Sequence, residues 1–548
     1  MNLPPDKDRI TPSYRPSQAP KQAPCQEACL NCGDIRGWIA LVAQRDRLGL
    51  SQDDAFAKAW EKIAEVNPFP ATLGRICPHP CESACNRGGK DEPLAINAME
   101  RFLGDFAVRS ELPLPKVDAE RRQASVGVVG AGPSGLSFAY QMARRGYPVT
   151  VYDGRDEAGG MLRFGVPPYR LPKAVLEAEI RKILDLGVRL ELGVSVGKDL
   201  EFETLRNRHD CLYLGIGAQQ GRALNLPGAE GPGVITATSY LERVNRGELP
   251  ALGDRVVVIG GGNSAMDAAR SARRGGAEVT ILYRRSLEQM PASPAEIEEA
   301  TEEGVELRLL VTPTRFERND DGHLEAVYVA HMVLGKPDAS GRPRPVVQEG
   351  TEERFPVDTA ILAISQQPVL DGLDGVAREG EWLLTDSEGA VDTWIFAGGD
   401  AVNLGMAGSA IVQGRHAAER LHEKLSGGDA GPTQPDIRLT AAEEVLQDSK
   451  QASAAVRTSR TSVDQRLRHP GTEVSQTIDE ASFLKEVERC FSCGSCFGCE
   501  RCFMYCTAGC FTRVEEARPG TYFSLNLDSC QECGKCVEVC PCGFLEVT

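Results

Sequence analysis

Two stretches of this sequence repeat one cysteine pattern. Cys496, Cys499, Cys502 and Cys506 follow Cys-x2-Cys-x2-Cys-x3-Cys, and Cys530, Cys533, Cys536 and Cys540 do the same, with Pro541 after the last. In such paired runs the fourth cysteine serves the cluster of the other run. Cys496, Cys499, Cys502 and Cys540 are therefore expected on one 4Fe–4S centre, and Cys530, Cys533, Cys536 and Cys506 on a second. Zinc sites separate their ligand pairs more widely. Thr507 stands where the first run would carry proline. Cys510 and Cys542 fall outside the pattern and read as small buried residues. Of nineteen cysteines, only Cys211 lies between Cys85 and Cys490, in an apolar stretch that reads as core.

That cysteine-poor middle carries two glycine-rich turns. Gly130-Ala131-Gly132-Pro133-Ser134-Gly135 follows an apolar strand and opens a helix. The first glycine permits a tight turn, the second lets a pyrophosphate approach, and the third allows helix and strand to pack closely. The helix N-terminus then faces the phosphates. Asp153, about twenty residues on, suits a ribose hydroxyl. Gly260-Gly261-Gly262-Asn263-Ser264-Ala265 repeats the logic, but the following strand ends in Arg284 and Arg285. Two guanidinium groups suit a 2′-phosphate, which favours NADP(H) over NAD(H). Gly399-Asp400, before a helix, would bring a carboxylate to a flavin's ribityl and pyrophosphate. FAD is thus assigned to the first turn and the nicotinamide to the second.

The elements that position these residues follow from apolar spacing. Ile35–Ala43 and Ala55–Val66 have helical periodicity, interrupted by cysteine-rich turns. From about residue 123 strands and helices alternate, with strands at 125–129, 149–152, 255–259 and 394–397. The expected class is α/β: two Rossmann-like domains, a helical iron–sulfur domain before them and a small α+β ferredoxin-like domain at the end. Expected bounds are 1–115 for the helical domain, 116–250 and 355–426 for the FAD domain, 251–354 for the NAD(P) domain, 427–488 for a linker and 489–548 for the ferredoxin domain. The acidic run Glu296 to Glu303 reads as a solvated helix face.

Composition narrows the function. A net charge of −17 disfavours nucleic acid, and no apolar run reaches the length of a membrane span. Residues 1–24 read as a polar arm rather than a signal peptide. Closely spaced cysteines without an export signal indicate metal chemistry in a reducing cytoplasm.

The motifs Gly74-Arg75-Ile76-Cys77-Pro78, Gly159-Gly160-Met161-Leu162-Arg163-Phe164-Gly165-Val166-Pro167, Tyr283-Arg284-Arg285 and Met290-Pro291-Ala292 make residues 25–425 resemble the glutamate synthase small-subunit family. That family includes the flavin half of dihydropyrimidine dehydrogenase. The resemblance implies an NAD(P) domain inserted in an FAD domain, with Gly160, Met161, Arg163 and Gly217 at the cofactor. It also implies that Cys29, Cys77, Cys81 and Cys85 hold a cluster near the flavin. A second cluster in the family begins with an upstream Cys-x-x-Cys, which residues 1–24 lack. Cys490 and Cys493 look like that missing pair; folding back from this chain or a dimer mate, they would complete a site with Cys25 and Glu100, with Cys32 as the alternative ligand. Three to four clusters are expected.

Electron counting sets the order of cofactors. A nicotinamide gives a hydride, a 4Fe–4S centre takes one electron, and a flavin converts between them. The reading is an NAD(P)H:acceptor oxidoreductase serving ferredoxin or a larger redox enzyme. By family analogy that enzyme would be a sulfite reductase, an aryl-CoA reductase or an oxo-acid:ferredoxin oxidoreductase. The alternatives are a glutamate synthase small subunit, disfavoured by the ferredoxin domain, and a non-catalytic electron-transfer or scaffold subunit. No acid–base residue is assigned, and a homodimer stays open.

Overall fold

A computed structural model describes residues 14–18, 21–118, 120–338, 341–427 and 437–547. Most of the polar arm and the start of the linker lie outside these residues. Among the described residues no helix is long and apolar enough to cross a membrane.

The N-terminal region is built from helices Ile35–Ala43, Gln52–Ala64, Pro70–Ile76 and Ile96–Arg109. Ser51 caps the second by accepting from Asp54 N. Its buried stripe, Phe56, Ala59, Trp60 and Ile63, has helical spacing. Phe56 meets Phe102 and Phe483 edge to face, at 5.4 and 5.3 Å. Two glycines let the last two helices cross in contact. A Cβ on Gly74 would stand 2.4 Å from Arg101 Cα, and one on Gly104 would stand 2.3 Å from Ala71 N. This crossing brings Cys77, which ends the third helix, to Glu100 in the fourth.

The first nucleotide-binding sheet is wholly parallel, ordered Ile395–Ala397, Cys211–Leu214, Val126–Val129, Val149–Asp153, Arg189–Leu192. Its central strands are buried on both faces, which explains their unbroken apolar runs. The second parallel sheet is ordered Glu306–Leu309, Glu278–Tyr283, Arg255–Ile259, Thr359–Leu362, Val234–Thr236. Two of its strands lie outside 251–354, so the inserted unit is wider than the sequence pattern suggests. An antiparallel sheet of Val311–Arg318, Leu324–Pro337, Pro343–Val347 and Glu353–Pro356 flanks it.

The acidic helix Pro294–Glu302 is only partly a solvated face: Glu298 and Glu302 are exposed, but other carboxylates of the run turn inward. Glu303, at its end, is fully buried between Arg270 and Arg274, with ion pairs of 2.8 and 2.7 Å. Glu296 and Glu299 also pair with Arg270, at 3.1 and 2.7 Å. The carboxylates are buried because these guanidinium groups neutralise them.

Residues 437–489 form a strap across the domains. Arg466 pairs with Glu302 at 2.9 Å, Arg274 donates to Pro470 O, and Glu473 pairs with both Arg75 and Arg101. The ferredoxin unit that follows is clasped by the chain's beginning. Pro16–Gln18 pairs antiparallel with Leu545–Val547. Lys21, with its side chain 1% exposed, donates to Gly543 O and pairs with Glu444 and Glu546.

Candidate nucleotide and cluster sites

Both glycine-rich turns join a sheet strand to a helix. Gly130 has φ +104°, and a Cβ on Gly135 would stand 1.9 Å from Gly130 O. Helix Pro133–Ala143 starts at Gly132 without a side-chain cap, so its first-turn amides are available to an anion. A Cβ on Gly132 would meet only Gly160 Cα, at 3.8 Å; the space beside it is open to a phosphate. Gly217, at φ +68°, also faces open space. These openings fit FAD.

Asp153 accepts from Ala131 N at 2.7 Å and Arg155 N at 2.9 Å, holding the turn in place. Each oxygen keeps a lone pair for a ribose hydroxyl. Ser134 Oγ lies 2.6 Å from the Tyr213 hydroxyl. Gly399 turns the chain at φ +72° against Ser134, and burial raises the Asp400 carboxyl. Arg163, which the resemblance implied at the cofactor, is held by its own turn. It is buried, bonds Glu157, Glu177 and Ala158 O, and stiffens the 157–163 turn from behind.

The second turn opens onto a cavity of about 870 Å³ that includes Gly260, Gly262, Asn263, Ser264 and Arg284. Ala265 is buried behind it, where a small residue lets the helix meet the strand. Asn263 Oδ1 accepts from Ser293 N at 3.0 Å, tying the turn to Met290-Pro291-Ala292. Both arginines of the strand end line this cavity. Arg284 is exposed at the cavity. Arg285 is buried and donates to Pro343 O and Asp338, at 2.9 and 2.8 Å. Arg342, from the antiparallel sheet, joins Arg284 at the wall. No strand-end motif marks Arg342; only the tertiary fold brings it there.

A second cavity of about 180 Å³ continues inward, past Met161, Asp400 and Met406 to Cys77. The two cavities share Asn263, Ser264, Gln366, Gly405 and Met406. Asp267 is also in the inner wall, and its Oδ1 is buried without a hydrogen-bond partner. Its other oxygen accepts from Arg170 at 2.8 Å. Sequence reading missed Asp267; its one signal is its position, a turn after Asn263.

The terminal cysteines form four groups. In the first, Glu100 acts on the thiols of Cys29, Cys77 and Cys81, all raised by burial. Asn67 Nδ2 donates to Glu100 at 2.8 Å, and burial lifts the carboxyl to about 7. In the second, Cys25, Cys85, Cys490 and Cys493 surround one enclosed cavity. This grouping exchanges Cys85 and Glu100 relative to the sequence expectation. Cys81 lies in the short helix Pro80–Ser83, and Cys77 and Cys85 flank it with extended backbone, so the three do not share one helix face. Cys32 is exposed and outside both groups.

In the ferredoxin unit, Cys540 acts on Cys496, Cys499 and Cys502. Cys506, Cys530, Cys533 and Cys536 surround another small cavity. Cys510 and Cys542 are buried beside these groups, Cys542 Sγ lying 3.9 Å from Cys540 Sγ. Among the described residues, no three His, Cys, Asp or Glu side chains converge on a single-ion site. A 4Fe–4S cube, with one thiolate on each of its four irons, spreads its ligands more widely than one ion does.

Three family models match the chain: Pyridine nucleotide-disulphide oxidoreductase over 124–420, Dihydropyrimidine dehydrogenase domain II, 4Fe-4S cluster, over 9–112, and 4Fe-4S dicluster domain over 495–544. The first spans more than half of the sequence. The chain belongs to the pyridine nucleotide-disulphide oxidoreductase family. As a member it has an FAD- and NADP-binding oxidoreductase domain, here flanked by 4Fe–4S domains. It is 37% identical over 421 residues to the NADP(+)-dependent formate dehydrogenase subunit beta of Moorella thermoacetica, covering 70% of this chain and 59% of the relative. It is 31% identical to the Escherichia coli glutamate synthase [NADPH] small chain, covering 71% of this chain and 89% of that one. The chain thus spans about three fifths of the first relative's length and most of the second's. Mycobacterium tuberculosis FprA in complex with NADPH shares the pyridine nucleotide-disulphide oxidoreductase fold, with TM-score 0.50 and 20% identity over 56% of this chain and 85% of that one.

Proposed function

We propose that this chain is an NADPH-dependent oxidoreductase subunit that passes electrons through FAD and 4Fe–4S centres to ferredoxin or a larger redox enzyme. The observation that carries this reading is the cavity shared by the two glycine-rich turns, which ends at Cys77. When bound, the flavin supplies exchange between a hydride and single electrons, and the clusters supply one-electron carriage.

The chain's own residues do the positioning. Arg284 and Arg342 offer a 2′-phosphate two guanidinium groups. Gly132 and Gly262 admit the pyrophosphates, and Asp153 receives a ribose. Met406 and Gln366 belong to the wall common to both cavities, where a nicotinamide and a flavin would approach each other. Cys29, Cys77, Cys81 and Glu100 offer the nearest cluster site to that junction. Cys496, Cys499, Cys502 and Cys540, with Cys506, Cys530, Cys533 and Cys536, offer two more. Nineteen cysteines, all free, suit a reducing cytoplasm.

A glutamate synthase small subunit is the second reading. A putative glutamate synthase small chain of Cereibacter sphaeroides, 40% identical over 314 residues, supports it. The two ferredoxin-type runs favour the first reading, because they offer a route to a separate acceptor.

Anaerobic titration with NADPH and then NADH, followed by absorbance and EPR, tests the proposal. Flavin bleaching by NADPH with reduction of the clusters is the expected result. Failure of both nucleotides to bleach the flavin would overturn it.

A further inference from the structure

Cys490 and Cys493 lie between the residues matched by the two iron–sulfur models, 9–112 and 495–544. They nevertheless occupy a built site. Helix Glu480–Arg489 ends just before them, and the turn reverses at Ser492 with φ 56°. Two buried arginines hold that turn. Arg87 forms a two-pronged pair with Asp91, at 2.8 and 2.6 Å, donates to Arg489 O at 3.0 Å, and lies over the Phe491 ring. Arg489 reaches Asp91, Glu92 O and Pro93 O. From the other side Arg36 donates to Cys493 O and Lys21 O, at 2.6 and 2.9 Å. Asn86 Nδ2 points at Cys493 Sγ, 3.6 Å away.

The wall opposite this turn supplies Cys25 and Cys85. Four thiols facing one enclosed space carry a large desolvation cost as thiolates unless metal balances them. Arg36, Lys450 and Arg489 act on these thiols as cations, with Glu82 also acting on Cys85. The turn also leads directly into the ferredoxin unit, because only Gly494 and Ser495 separate Cys493 from Cys496. A groove that includes Cys490, Lys450, Phe497 and Cys499 connects the two places.

We propose that Cys25, Cys85, Cys490 and Cys493 ligate one further 4Fe–4S centre, assembled from both ends of the same chain, and that this centre joins the flavin side to the ferredoxin pair. The electron route rests on the function proposed above; the metal site does not. No dimer mate is needed to complete it. Each passage carries one electron, oxidising the centre it leaves and reducing the centre it reaches, so the two electrons of one hydride cross in succession. No covalent bond forms or breaks in the protein.

The test uses the full chain, purified without oxygen. Iron and sulfide per FAD should be about sixteen in the wild type and about twelve in C490S/C493S, one four-iron centre fewer. In dithionite-reduced samples, Cys25→Ser and Cys85→Ser should each alter the same EPR signal that C490S/C493S removes, while Cys32→Ser leaves it intact. Rapid-freeze EPR after mixing with NADPH should show the ferredoxin pair reduced at least tenfold more slowly in C490S/C493S, with flavin bleaching retained. Twelve irons in the wild type, or unchanged iron in C490S/C493S, would overturn the site. If C490S/C493S does not fold, the wild-type iron count and the single variants decide. Equal rates of ferredoxin-pair reduction would overturn the junction role. If NADPH fails to bleach the wild-type flavin, the proposed function falls, and the iron counts still read the metal site independently.

Discussion

Arg285 and its neighbour Arg284 both line the nucleotide cavity, but Arg285 is buried and donates to Asp338, 2.8 Å away, while Arg284 is exposed. Adjacent arginines therefore have different tasks. Charge-assisted hydrogen bonds contribute about 1.5–3 kcal/mol each. Arg284→Ala should raise KM for NADPH by about 10- to 100-fold and leave KM for NADH almost unchanged. Arg285→Ala should instead lower Tm, with the smaller effect on KM. Steady-state kinetics with both nucleotides, beside thermal melts, check the division.

Glu179 holds the helix that ends at Cys77. Its oxygens accept from Ala71 N and Thr72 N, at 2.7 and 3.0 Å. Removing this capping acceptor in Glu179→Ala should cost about 1–2 kcal/mol. Burial raises the carboxyl from 4.5 to about 7, although Arg75 opposes the shift. The folded state therefore holds a proton that the unfolded state releases above pH 4.5. This contribution to stability is fully present below the unfolded pKa and is lost as pH rises through about 7. Urea melts at several pH values should show that slope in the wild type and a flatter one in Glu179→Gln.

Lys21 fastens the ferredoxin unit. Lys21→Met would leave Glu444 and Glu546 with Arg438, at 2.7 Å from each, and with water. The cost should therefore fall to about 1–3 kcal/mol, below that of a wholly buried pair. Limited proteolysis should cut the ends of the chain sooner in the variant. Glu444 is held down at about 2, mainly by Arg438, against the opposing effect of burial. Its contribution is present above the unfolded value of 4.5 and is lost as pH falls through about 2.

Gly414 lies where helix Ala407–Leu425 crosses helix Pro133–Ala143. A Cβ there would stand 2.2 Å from Ser134 O. Gly414→Ala should cost about 1–3 kcal/mol and displace the phosphate-binding turn. Its retention of FAD after gel filtration should drop. Gly471→Ala, where a Cβ meets nothing within 4 Å, should behave as wild type.

Much of this architecture was legible because local rules agree with tertiary ones. Helix Ile35–Ala43 and strand Arg255–Ile259 match their sequence signals at both ends. The glycine turns are legible for the same reason: each glycine has one steric task. The partition of the N-terminal cysteines was not legible. Cys77, Cys81 and Cys85 are evenly spaced, and even spacing suggests one face; the chain instead breaks at His79 and again after Ser83. The strap was hidden as well. Its composition reads as linker because its ordering groups are arginines, whose carboxylate partners lie more than 150 residues away, as with Arg466 and Glu302. Glu303 looked solvated for the same reason, since periodicity carries no information about a distant guanidinium.

The meeting of the two chain ends fixes a timetable for manufacture. Cys490 leaves the ribosome roughly 460 residues after Cys25. At about 5–20 residues per second, that interval is on the order of 20–90 s. During it, Cys25 and Cys85 stand as an open pair, and Pro16–Gln18 has no strand to join. The flavin half can fold in that window, whereas the clasped end cannot. On the proposed ligand set, the last site can take up iron only after Cys490 and Cys493 have been made, and until then Cys25 and Cys85 stay uncovered.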